Sequence, residues 1–467
     1  MAFSRRQFLA ATSVALAAQA RKKLNFIFVL ADDLGWADLP VNGGDFHETP
    51  EIDAFARSAM RFSQAYAAAP ICSPTRASIM TGKTPARLGI TIWHEGALRK
   101  VTDRPMVPPA SEDHLEHKEI TLAERLHDAG YRTMHIGKWH LGTTAHGPET
   151  QGFDSNVGGT HWGAPQTYFY PYKGTQGFGG EYRFVPGLGP GKPGDFLTDT
   201  FTDMAIKAVD SCGGDPFFLN LWFHNPHTPI ECKPEHEAYF AKKLRPEFKH
   251  QNAKYAGMIR SLSENFGRLM QHLEKRGLAK NTVVVFFSDN GGYTEKNGGK
   301  TVTTNAPLRS GKGSLYEGGV RVPFLMRWPG VTKPGAVCDV PVISCDFFPT
   351  LLEIAGLQGA SQDGVSIVPL LRDARAALPA RDLFFHYPHY YPTTTPVSMV
   401  RSGDWKLLEY YEDSRLELYN LKSDPSETQN LAASNPAKAR ELHAKLDAWR
   451  KSVGARLPVK NPAVAKQ

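Results

Sequence analysis

The chain has 467 residues, too many for one small hydrophobic core, which predicts one large domain with an appendage or two to three domains. Apolar residues make up 41% and charged residues 22%, as in an ordinary globular protein, and after the first twenty residues no apolar run is long enough to span a bilayer. The net charge of +7 mildly suits an anionic substrate, but the basic residues are scattered, so we expect no nucleic-acid partner.

Residues 1–20 resemble a twin-arginine-type signal peptide. Residues 4–9 match the twin-arginine motif, 9–18 form a short apolar stretch, and 18–20 are an Ala-x-Ala-like cleavage site. We therefore expect export by the twin-arginine machinery, a mature chain that starts near Arg21 without a membrane span, and a periplasmic or secreted bacterial protein. An uncleaved N-terminal anchor is the alternative.

Four short apolar segments, at 24–30, 131–136, 216–223 and 282–287, predict buried parallel strands. The polar residues that follow them are, in chain order, Asp32 and Asp33, Lys138 and His140, His224 and His227, and Asp289 and Asn290. Taken alone, each ending has a plain alternative, such as a solvated turn, a surface lysine or a structural histidine. Because ligands bind at the carboxyl ends of strands in an open α/β sheet, we expect the four endings to share one edge.

The acids and the amide at these endings suggest a metal site. Adjacent carboxylates repel one another unless a cation offsets their charge. Asp32, Asp33, Asp289 and Asn290 offer only hard oxygen ligands, which suit calcium or magnesium and not zinc or copper. Calcium is favoured over magnesium because several carboxylates converge with no evident substrate phosphate.

The segment 69–83 carries Cys72, Pro74 and Arg76 at the spacing Cys-x-Pro-x-Arg. Pro74 suits a first helical position, which places Cys72 at a helix N-terminus, where backbone N–H groups and the macrodipole favour an anion. Arg76 lies one turn further on and is close enough to neutralise that anion. The alternative is a buried cysteine in an ordinary strand-to-helix turn.

The remaining patterns predict an α/β fold with a large mixed sheet flanked by helices. Helices are expected at 120–130, 196–210, 254–276 and 346–355, and the segments 90–119 and 143–195 are predicted loops, the second one shaping a substrate pocket. After a boundary near 371–380, short strands at 384–387, 398–401, 405–411 and 416–420 and a helix at 435–453 predict a smaller C-terminal antiparallel sheet plus helix. The predicted domains are a catalytic α/β domain at 21–375 and a small α+β subdomain at 376–467.

Several motifs together resemble the formylglycine-dependent sulfatases, an arylsulfatase-like family of the alkaline phosphatase superfamily. The motifs lie at 31–35, 72–83, 137–142, 227–229, 288–291 and 311–313, and their order and separations are similar to those of the family. The resemblance covers nearly the whole mature chain and implies an alkaline-phosphatase-like fold. It also implies that a maturation enzyme oxidises Cys72 to formylglycine (3-oxoalanine), whose hydrate is the nucleophile.

The resemblance further implies the role of each site residue. The implied calcium ligands are Asp32, Asp33, Cys72 in its modified form, Asp289 and Asn290. The implied sulfate-binding residues are Lys138, Lys312 and His227, of which Lys312 or His227 helps protonate the leaving alcohol. Arg76 steadies the hydrate, Asp289 takes a proton from the attacking hydroxyl, and His140 acts as base on the remaining hydroxyl, which expels sulfate. His227 is preferred to His224 because the family's His-x-Pro pattern falls there.

The expected activity is the hydrolysis of a sulfated carbohydrate, with aryl sulfates as artificial substrates. The alternatives are a phosphonate or phosphate ester hydrolase on the same scaffold and an inactive binder of sulfated glycans. Aromatic residues that could stack on sugar rings are Trp93, Trp162, Tyr168, Tyr170, Tyr390 and Tyr391. Four cysteines besides Cys72 could form two disulfides or stay free, and their pairing cannot be derived from the sequence; they are Cys212, Cys232, Cys338 and Cys345.

Overall fold

The computed structural model describes residues 23–175, 178–359 and 361–464. The predicted signal peptide at 1–20 lies outside the described residues. Among the described helices, none combines the length and the apolar character needed to cross a membrane.

Most strands before residue 380 are short, and the last part of the chain contains four consecutive antiparallel strands of five or six residues. The strands are β1 (Asn25–Ala31), β2 (Met60–Phe62), β3 (Ala65–Tyr66), β4 (Met106–Val107), β5 (Arg132–Gly137), β6 (Ser155–Val157), β7 (Phe217–Trp222), β8 (Thr282–Ser288), β9 (Lys296–Asn297), β10 (Lys300–Thr301), β11 (Phe324–Arg327), β12 (Val337–Cys338), β13 (Val342–Ile343), β14 (Asp382–Tyr387), β15 (Val397–Ser402), β16 (Trp405–Tyr410), β17 (Leu416–Asn420) and β18 (Val459–Lys460).

The helices lie between these strands and after the last long one. They are α1 (Pro50–Ser58), α2 (Cys72–Thr81), α3 (Pro85–Leu88), α4 (His94–Ala97), α5 (Leu122–Asp128), α6 (Leu197–Ser211), α7 (Pro234–Lys243), α8 (Ala253–Lys275), α9 (Glu317–Val320), α10 (Phe347–Ile354), α11 (Val368–Arg372) and α12 (Pro436–Val453).

The main sheet is mixed, as predicted. In the part of the chain that the structure describes, it has eight strands in the order β12-β2-β11-β8-β1-β7-β5-β6. The strands β8, β1, β7 and β5 are neighbours and run parallel, whereas β11 is antiparallel to both β8 and β2. The four segments predicted as buried parallel strands are therefore adjacent, and their carboxyl ends point the same way.

Both faces of this sheet are buried, which explains why β1 and β8 carry long apolar runs rather than an alternation of apolar and polar residues. Along β1, Phe26, Phe28 and Leu30 belong to one hydrophobic cluster, and Ile27 and Val29 belong to another. Helices α2, α5 and α10 cover the first face, and helices α1, α6 and α8 cover the second. Each fully buried large apolar side chain contributes roughly 1.5–3 kcal/mol to the free energy of unfolding.

One strand of the main sheet lies inside the segment predicted to be a loop. β6 (Ser155–Val157) pairs in parallel with β5 at the edge of the sheet. Its residues are exposed or half-buried, so it lacks the apolar pattern of a central strand. A three-residue edge strand of this kind depends on its neighbour for its conformation, and local sequence does not reveal it.

The C-terminal residues form the predicted antiparallel sheet with one helix. Strands β14 to β17 follow one another in a meander, and α12 packs on one face of it through Leu442 and Leu446 against Val400 and Leu407. The opposite face packs on the start of α2 and on α9, in a cluster that includes Cys72. The C-terminal sheet therefore supports the helix that carries the candidate nucleophile.

All five cysteines are buried free thiols in the structure. Of the two alternatives left open by the sequence, the structure contains the one without disulfides.

A buried ion-pair network ties the C-terminal sheet to α9. The Nζ atom of Lys406 lies 3.0 Å from Glu317 Oε1 and 2.8 Å from Glu427 Oε1, and all three side chains are fully buried. Burial raises the pKa of Glu427 to about 7, although Lys406 opposes that shift. Lys406 is therefore a counter-charge shared by both carboxylates, and Arg321 Nη1, 3.7 Å from Glu317 Oε2, is a second one for Glu317.

We expect Lys406→Met to lower the free energy of unfolding by about 3–5 kcal/mol, because it removes the cation paired with the buried carboxylate of Glu427 and leaves Glu317 with only the more distant Arg321. Urea denaturation would measure the change. The matched control is Lys445→Met, which removes a half-exposed lysine paired with Asp382 and should lower the stability by less than about 1 kcal/mol. Equal effects of the two substitutions would contradict the role of the buried network.

Candidate active site at the carboxyl edge of the sheet

The structure brings together the polar residues that follow β1, β5, β7 and β8. Asp32 and Asp33 follow β1, and Asp33 adopts a left-handed conformation with φ of 64°. Its backbone N–H donates to Asp289 Oδ1 at 3.2 Å, which joins the end of β1 to the end of β8. Asn290 Nδ2 donates to Asp33 Oδ1 at 2.8 Å. The expected common edge is thus present.

Cys72 is the first residue of α2, and every residue of that helix is buried. Its side chain faces a cavity of about 510 Å³. Burial raises the pKa of the Cys72 thiol to about 11, although Lys138 and Lys312 lie near enough to oppose the shift. An unmodified Cys72 is therefore a neutral thiol at neutral pH and a poor nucleophile.

Three buried cationic side chains each pair with a different carboxylate of the edge. The pairs are Arg76 Nη2 with Asp289 Oδ2 at 2.7 Å, Lys138 Nζ with Asp32 Oδ2 at 2.7 Å, and Lys312 Nζ with Asp33 Oδ2 at 2.8 Å. Arg76 also donates to the Lys138 carbonyl oxygen at 2.7 Å, so β5 and α2 are held together at the site. This arrangement places three cations and three carboxylates side by side near Cys72, so that each buried charge has a counter-charge.

The pKa values of the two adjacent aspartates shift in opposite directions because their surroundings differ. Burial raises the pKa of Asp32 well above its usual value, and Lys138 only partly offsets that effect. Burial acts in the same direction on Asp33, but Lys312 and His227 outweigh it and lower the pKa of Asp33 to about 2. A divalent cation at this position would favour the ionised form of both carboxylates.

The residues present fit a hard divalent cation. Asp32, Cys72 and Asp289 each place one candidate ligand atom within 4.8 Å of the others. Among the residues that the structure describes, the buried oxygens Asp32 Oδ1 and Asn290 Oδ1 have no hydrogen-bond partner. Buried oxygens are normally satisfied, and an oxygen-ligated cation would satisfy these two.

Three histidines lie near the site in different environments. His227 Nε2 is 3.6 Å from Asp33 Oδ2, and its Nδ1 donates to the Thr228 carbonyl oxygen at 2.8 Å. His140 and His227 both line the cavity, whereas His224 does not. Burial lowers the pKa of His224 well below its usual value. The preference for His227 over His224 at the cavity thus agrees with the geometry.

A loop of the C-terminal sheet closes one side of the cavity. Tyr391 lines the cavity and its ring packs against Gly313, where an added Cβ would lie 2.1 Å from the tyrosine ring. Gly313 also has φ of 87°, so the chain requires glycine at this position. Thr393 Oγ1 donates to the Lys312 carbonyl oxygen at 2.6 Å. The C-terminal subdomain therefore helps to fix Lys312.

The aromatic residues proposed for sugar stacking lie in different parts of the structure. Trp93 and Tyr391 line the cavity, and Tyr390 lines a neighbouring one that shares Tyr391. Tyr168 is fully buried, and its hydroxyl donates to the carbonyl oxygens of His224 and His227. The prediction for Tyr168 was wrong, because its ring and hydroxyl serve the core and the loop after β7.

The sequence analysis missed a carboxylate that contacts a predicted site residue. Glu95, in the short helix α4, places Oε2 2.8 Å from His140 Nε2 and lines the same cavity. Nothing local marks Glu95 as functional, because it follows no strand and lies in a segment read as irregular. Only the folded chain places it beside a residue 45 positions away.

A second buried cluster braces the loop that carries Asp33. The Tyr255 hydroxyl donates to Asp38 Oδ2 at 2.7 Å and to the Asp33 carbonyl oxygen at 3.1 Å. His250 lies between two acids, with Nδ1 2.9 Å from Asp45 Oδ1 and Nε2 3.5 Å from Asp38 Oδ1. Burial disfavours the charged imidazole, but the two carboxylates outweigh it and raise the pKa of His250 to about 9.

This shift predicts a pH-dependent stability. Because the folded pKa exceeds the unfolded value of about 6.5, the contribution of protonated His250 is full below pH 6.5 and is lost as pH rises to 9, to a total of about 3 kcal/mol. We expect His250→Gln to destabilise the protein much more at pH 6 than at pH 9 in urea denaturation. An equal loss at both pH values would show that the charge of His250 contributes nothing.

The fold and the site together define an α/β protein with buried cations and carboxylates gathered at the carboxyl edge of its main sheet. A family model described as sulfatase matches residues 24–357, and a model described as N-sulphoglucosamine sulphohydrolase, C-terminal, matches residues 311–452. The chain belongs to the sulfatase family and is a sulfatase with the alkaline-phosphatase-like fold.

The chain is similar to individual sulfatases over most of their length. The chain is 32% identical to a sulfatase of Formosa agariphila, with 92% of this chain and 89% of the relative covered. It is 30% identical to N-acetylgalactosamine-6-sulfatase of Mus musculus, with 79% of this chain and 70% of the relative covered. Among solved structures, Ps i-CgsB in complex with k-i-k-neocarrahexaose is 29% identical with a TM-score of 0.76, covering 91% of this chain and 92% of that one.

Proposed function

We propose that this sulfatase releases inorganic sulfate from a sulfated carbohydrate, with a formylglycine made from Cys72 and a bound calcium ion. The observation that carries the proposal is the position of Cys72 at the N-terminus of α2, at a cavity also lined by Lys312, His140 and His227. A sulfate monoester carries one negative charge, which this site can accept when the proposed calcium ion is bound, because Arg76, Lys138 and Lys312 are each paired with a carboxylate. An unmodified thiol would be a poor nucleophile at this site, because burial raises the pKa of Cys72 to about 11.

The calcium ion would be held by oxygen ligands at the edge of the sheet. The proposed ligands are Asp32, Asp33, Asp289, Asn290 and residue 72 in its modified form. When bound, the ion supplies Lewis-acid stabilisation of the negative charge on a sulfate oxygen. The two buried oxygens without hydrogen-bond partners among the described residues, Asp32 Oδ1 and Asn290 Oδ1, support this assignment.

The side chains around Cys72 have separate proposed roles in sulfate binding and proton transfer. Lys138, Lys312 and His227 bind the sulfate oxygens, and Lys312 or His227 donates a proton to the leaving alcohol. Asp289 accepts a proton from the attacking hydroxyl at residue 72. Arg76 steadies that hydroxyl through its position one turn along α2 and its ion pair with Asp289.

The proposed substrate class rests on the relatives and on the cavity wall. One relative is named for a sulfated N-acetylgalactosamine, and one similar structure is a complex with a neocarrahexaose. Trp93 and Tyr391, whose ring centroids are 5.9 Å apart, offer apolar faces at the cavity for a sugar ring. The proposal includes maturation by a formylglycine-generating enzyme and twin-arginine export to the periplasm or beyond.

The test compares a sulfate ester and a phosphate ester of the same alcohol, para-nitrophenol, in one preparation. We expect kcat/KM to be at least about tenfold higher for the sulfate, because each tenfold preference needs only about 1.4 kcal/mol of differential transition-state binding. Release of sulfate from sulfated oligosaccharides, measured by ion chromatography, tests the substrate class. A faster phosphate ester would favour the phosphate or phosphonate hydrolase, and binding without turnover would favour the glycan binder.

A further inference from the structure

The two ring nitrogens of His140 have different surroundings. Nε2 lies 2.8 Å from Glu95 Oε2. Nδ1 is buried and has no hydrogen-bond partner among the residues that the structure describes. The residue as a whole is 1% exposed, so bulk water does not reach the ring freely. His140 lines the cavity, and Nδ1 is its ring nitrogen without a hydrogen-bond partner among the described residues.

The backbone of His140 is fixed on both sides of the ring. Its N–H donates to the Thr160 carbonyl oxygen at 2.9 Å, and its carbonyl oxygen accepts from Ser73 Oγ at 2.7 Å. The Cβ of a residue other than glycine at position 163 would lie 2.5 Å from Cε1 of the ring. The His140 ring can therefore occupy this position because Gly163 has no side chain.

The carboxylate of Glu95 is itself held by further hydrogen bonds. Its Oε1 accepts from the Gly163 N–H at 3.0 Å and from Arg183 Nη2 at 3.2 Å. Burial disfavours its charge, but the contact with His140 outweighs burial and keeps the pKa of Glu95 far below its usual value. Glu95 is thus an ionised acceptor with a fixed orientation.

The hydrogen-bond chemistry determines the tautomer of His140. An ionised carboxylate can only accept, so Nε2 must carry the proton that it donates to Glu95. Burial lowers the pKa of His140 to about 3, with Glu95 opposing the shift, so the ring is neutral at pH 7. A neutral ring protonated at Nε2 has its lone pair at Nδ1.

We propose that Glu95 is a positioning residue that fixes His140 as the Nε2–H tautomer, so that Nδ1 is the base in sulfate release. The inference rests on the proposed function. In the base step, Nδ1 accepts the proton of the hydroxyl at residue 72, the electron pair of that O–H bond forms the carbon–oxygen double bond, and sulfate leaves with the electrons of the broken C–O bond. Glu95 does not exchange a proton; it stabilises the ring that does.

The first readout is the tautomer itself, measured without substrate and in protein with an unmodified Cys72. In histidine-selective ¹⁵N spectra we expect wild-type His140 to be protonated at Nε2 and not at Nδ1. Glu95→Gln offers an amide that can donate as well as accept, and Glu95→Ala offers no acceptor, so both variants should show a large fraction of the Nδ1–H form. Unchanged spectra in both variants would overturn the proposal.

The matched control is Glu181→Gln. Glu181 lines the same cavity and pairs with Arg183 at 3.0 Å and with Trp162 Nε1 at 2.8 Å. It has no hydrogen bond to His140, so we expect the wild-type tautomer in this variant. A changed tautomer would mean that any lost carboxylate disturbs the ring, which contradicts a specific role of Glu95.

The second readout is the division between kcat and KM in the mature enzyme. General base catalysis contributes about 10²–10⁴-fold, so we expect kcat of Glu95→Gln to fall by about 10²-fold while KM changes less than about threefold. A rise in KM without a fall in kcat would overturn the proposal and assign Glu95 to substrate binding. If the wild type is active but His140 is in the Nδ1–H form, the role of Glu95 alone is overturned. If the mature wild type is inactive although His140 is in the Nε2–H form, the proposed function is overturned, and the base step with it.

Discussion

Cys72→Ala is expected to lower kcat/KM of the mature enzyme at least about 10³-fold, since it removes the group from which the nucleophile is made. The folded state should change little. Cys72 is the first residue of α2 and is 3% exposed, and alanine is well tolerated in a helix. The measurement is initial rates on an aryl sulfate, together with thermal unfolding to confirm that the variant is folded.

The control for this prediction is Cys212→Ala, which removes a buried thiol at the end of α6, where Sγ lies 3.3 Å from the Ala208 carbonyl oxygen. We expect that variant to keep its activity. The tryptic mass of the peptide that contains Cys72 provides an independent check, because conversion to the aldehyde makes the peptide lighter. Only thiol in protein from its own host, or a Cys72→Ala variant with more than a tenth of the wild-type rate, would contradict the proposed nucleophile.

Removal of the proposed calcium ion is the second change with a large expected effect. Dialysis against a chelator should lower kcat/KM by about 10³-fold, because a bound cation contributes several kcal/mol of transition-state stabilisation. Metal-free protein should also unfold at a lower temperature, since Asp32, Asp33 and Asp289 then lose a shared counter-charge. At a hundredfold excess over its dissociation constant, a specific ligand adds about 2.7 kcal/mol of stability.

Calcium added back should restore both properties, and magnesium should restore them less. Elemental analysis of the purified protein would give the metal and its ratio to the chain. Zinc serves as the control, because an oxygen-rich ligand set does not favour it. Full activity in protein shown to contain no metal would contradict the proposed calcium site and leave the three buried lysine and arginine pairs as the means of charge stabilisation.

Much of the fold could be predicted because the signals are strong and local. The apolar run of β8 (Thr282–Ser288) and the amphipathic pattern of α8 (Ala253–Lys275) are both long enough to stand above chance, and both elements are found within one or two residues of the predicted bounds. Short elements are different. β6 (Ser155–Val157) has no pattern of its own and forms because β5 offers it hydrogen-bonding groups.

The residues of the candidate site also fall into two groups, those that local sequence signals predicted and those that only the folded chain brings together. Asp33, His140 and Asp289 follow predicted strands directly, so the rule that ligands bind at the carboxyl edge of a sheet was enough to group them. Glu95 and Gly163 lie in segments that the sequence predicts as loops, and no spacing relates them to His140. Tyr168 shows the opposite error, because an aromatic residue in a loop was expected at the substrate and instead lies in the core.

The sequence by itself determined the family, since the sulfatase-like motifs and their order along the chain are features of the sequence alone. The tertiary structure alone decided which of the site residues touch. It paired Lys138 with Asp32 and Lys312 with Asp33, and it placed Glu95 on His140. Such contacts join distant parts of the chain, and their strength depends on burial, which excludes water and which no local stretch of sequence specifies.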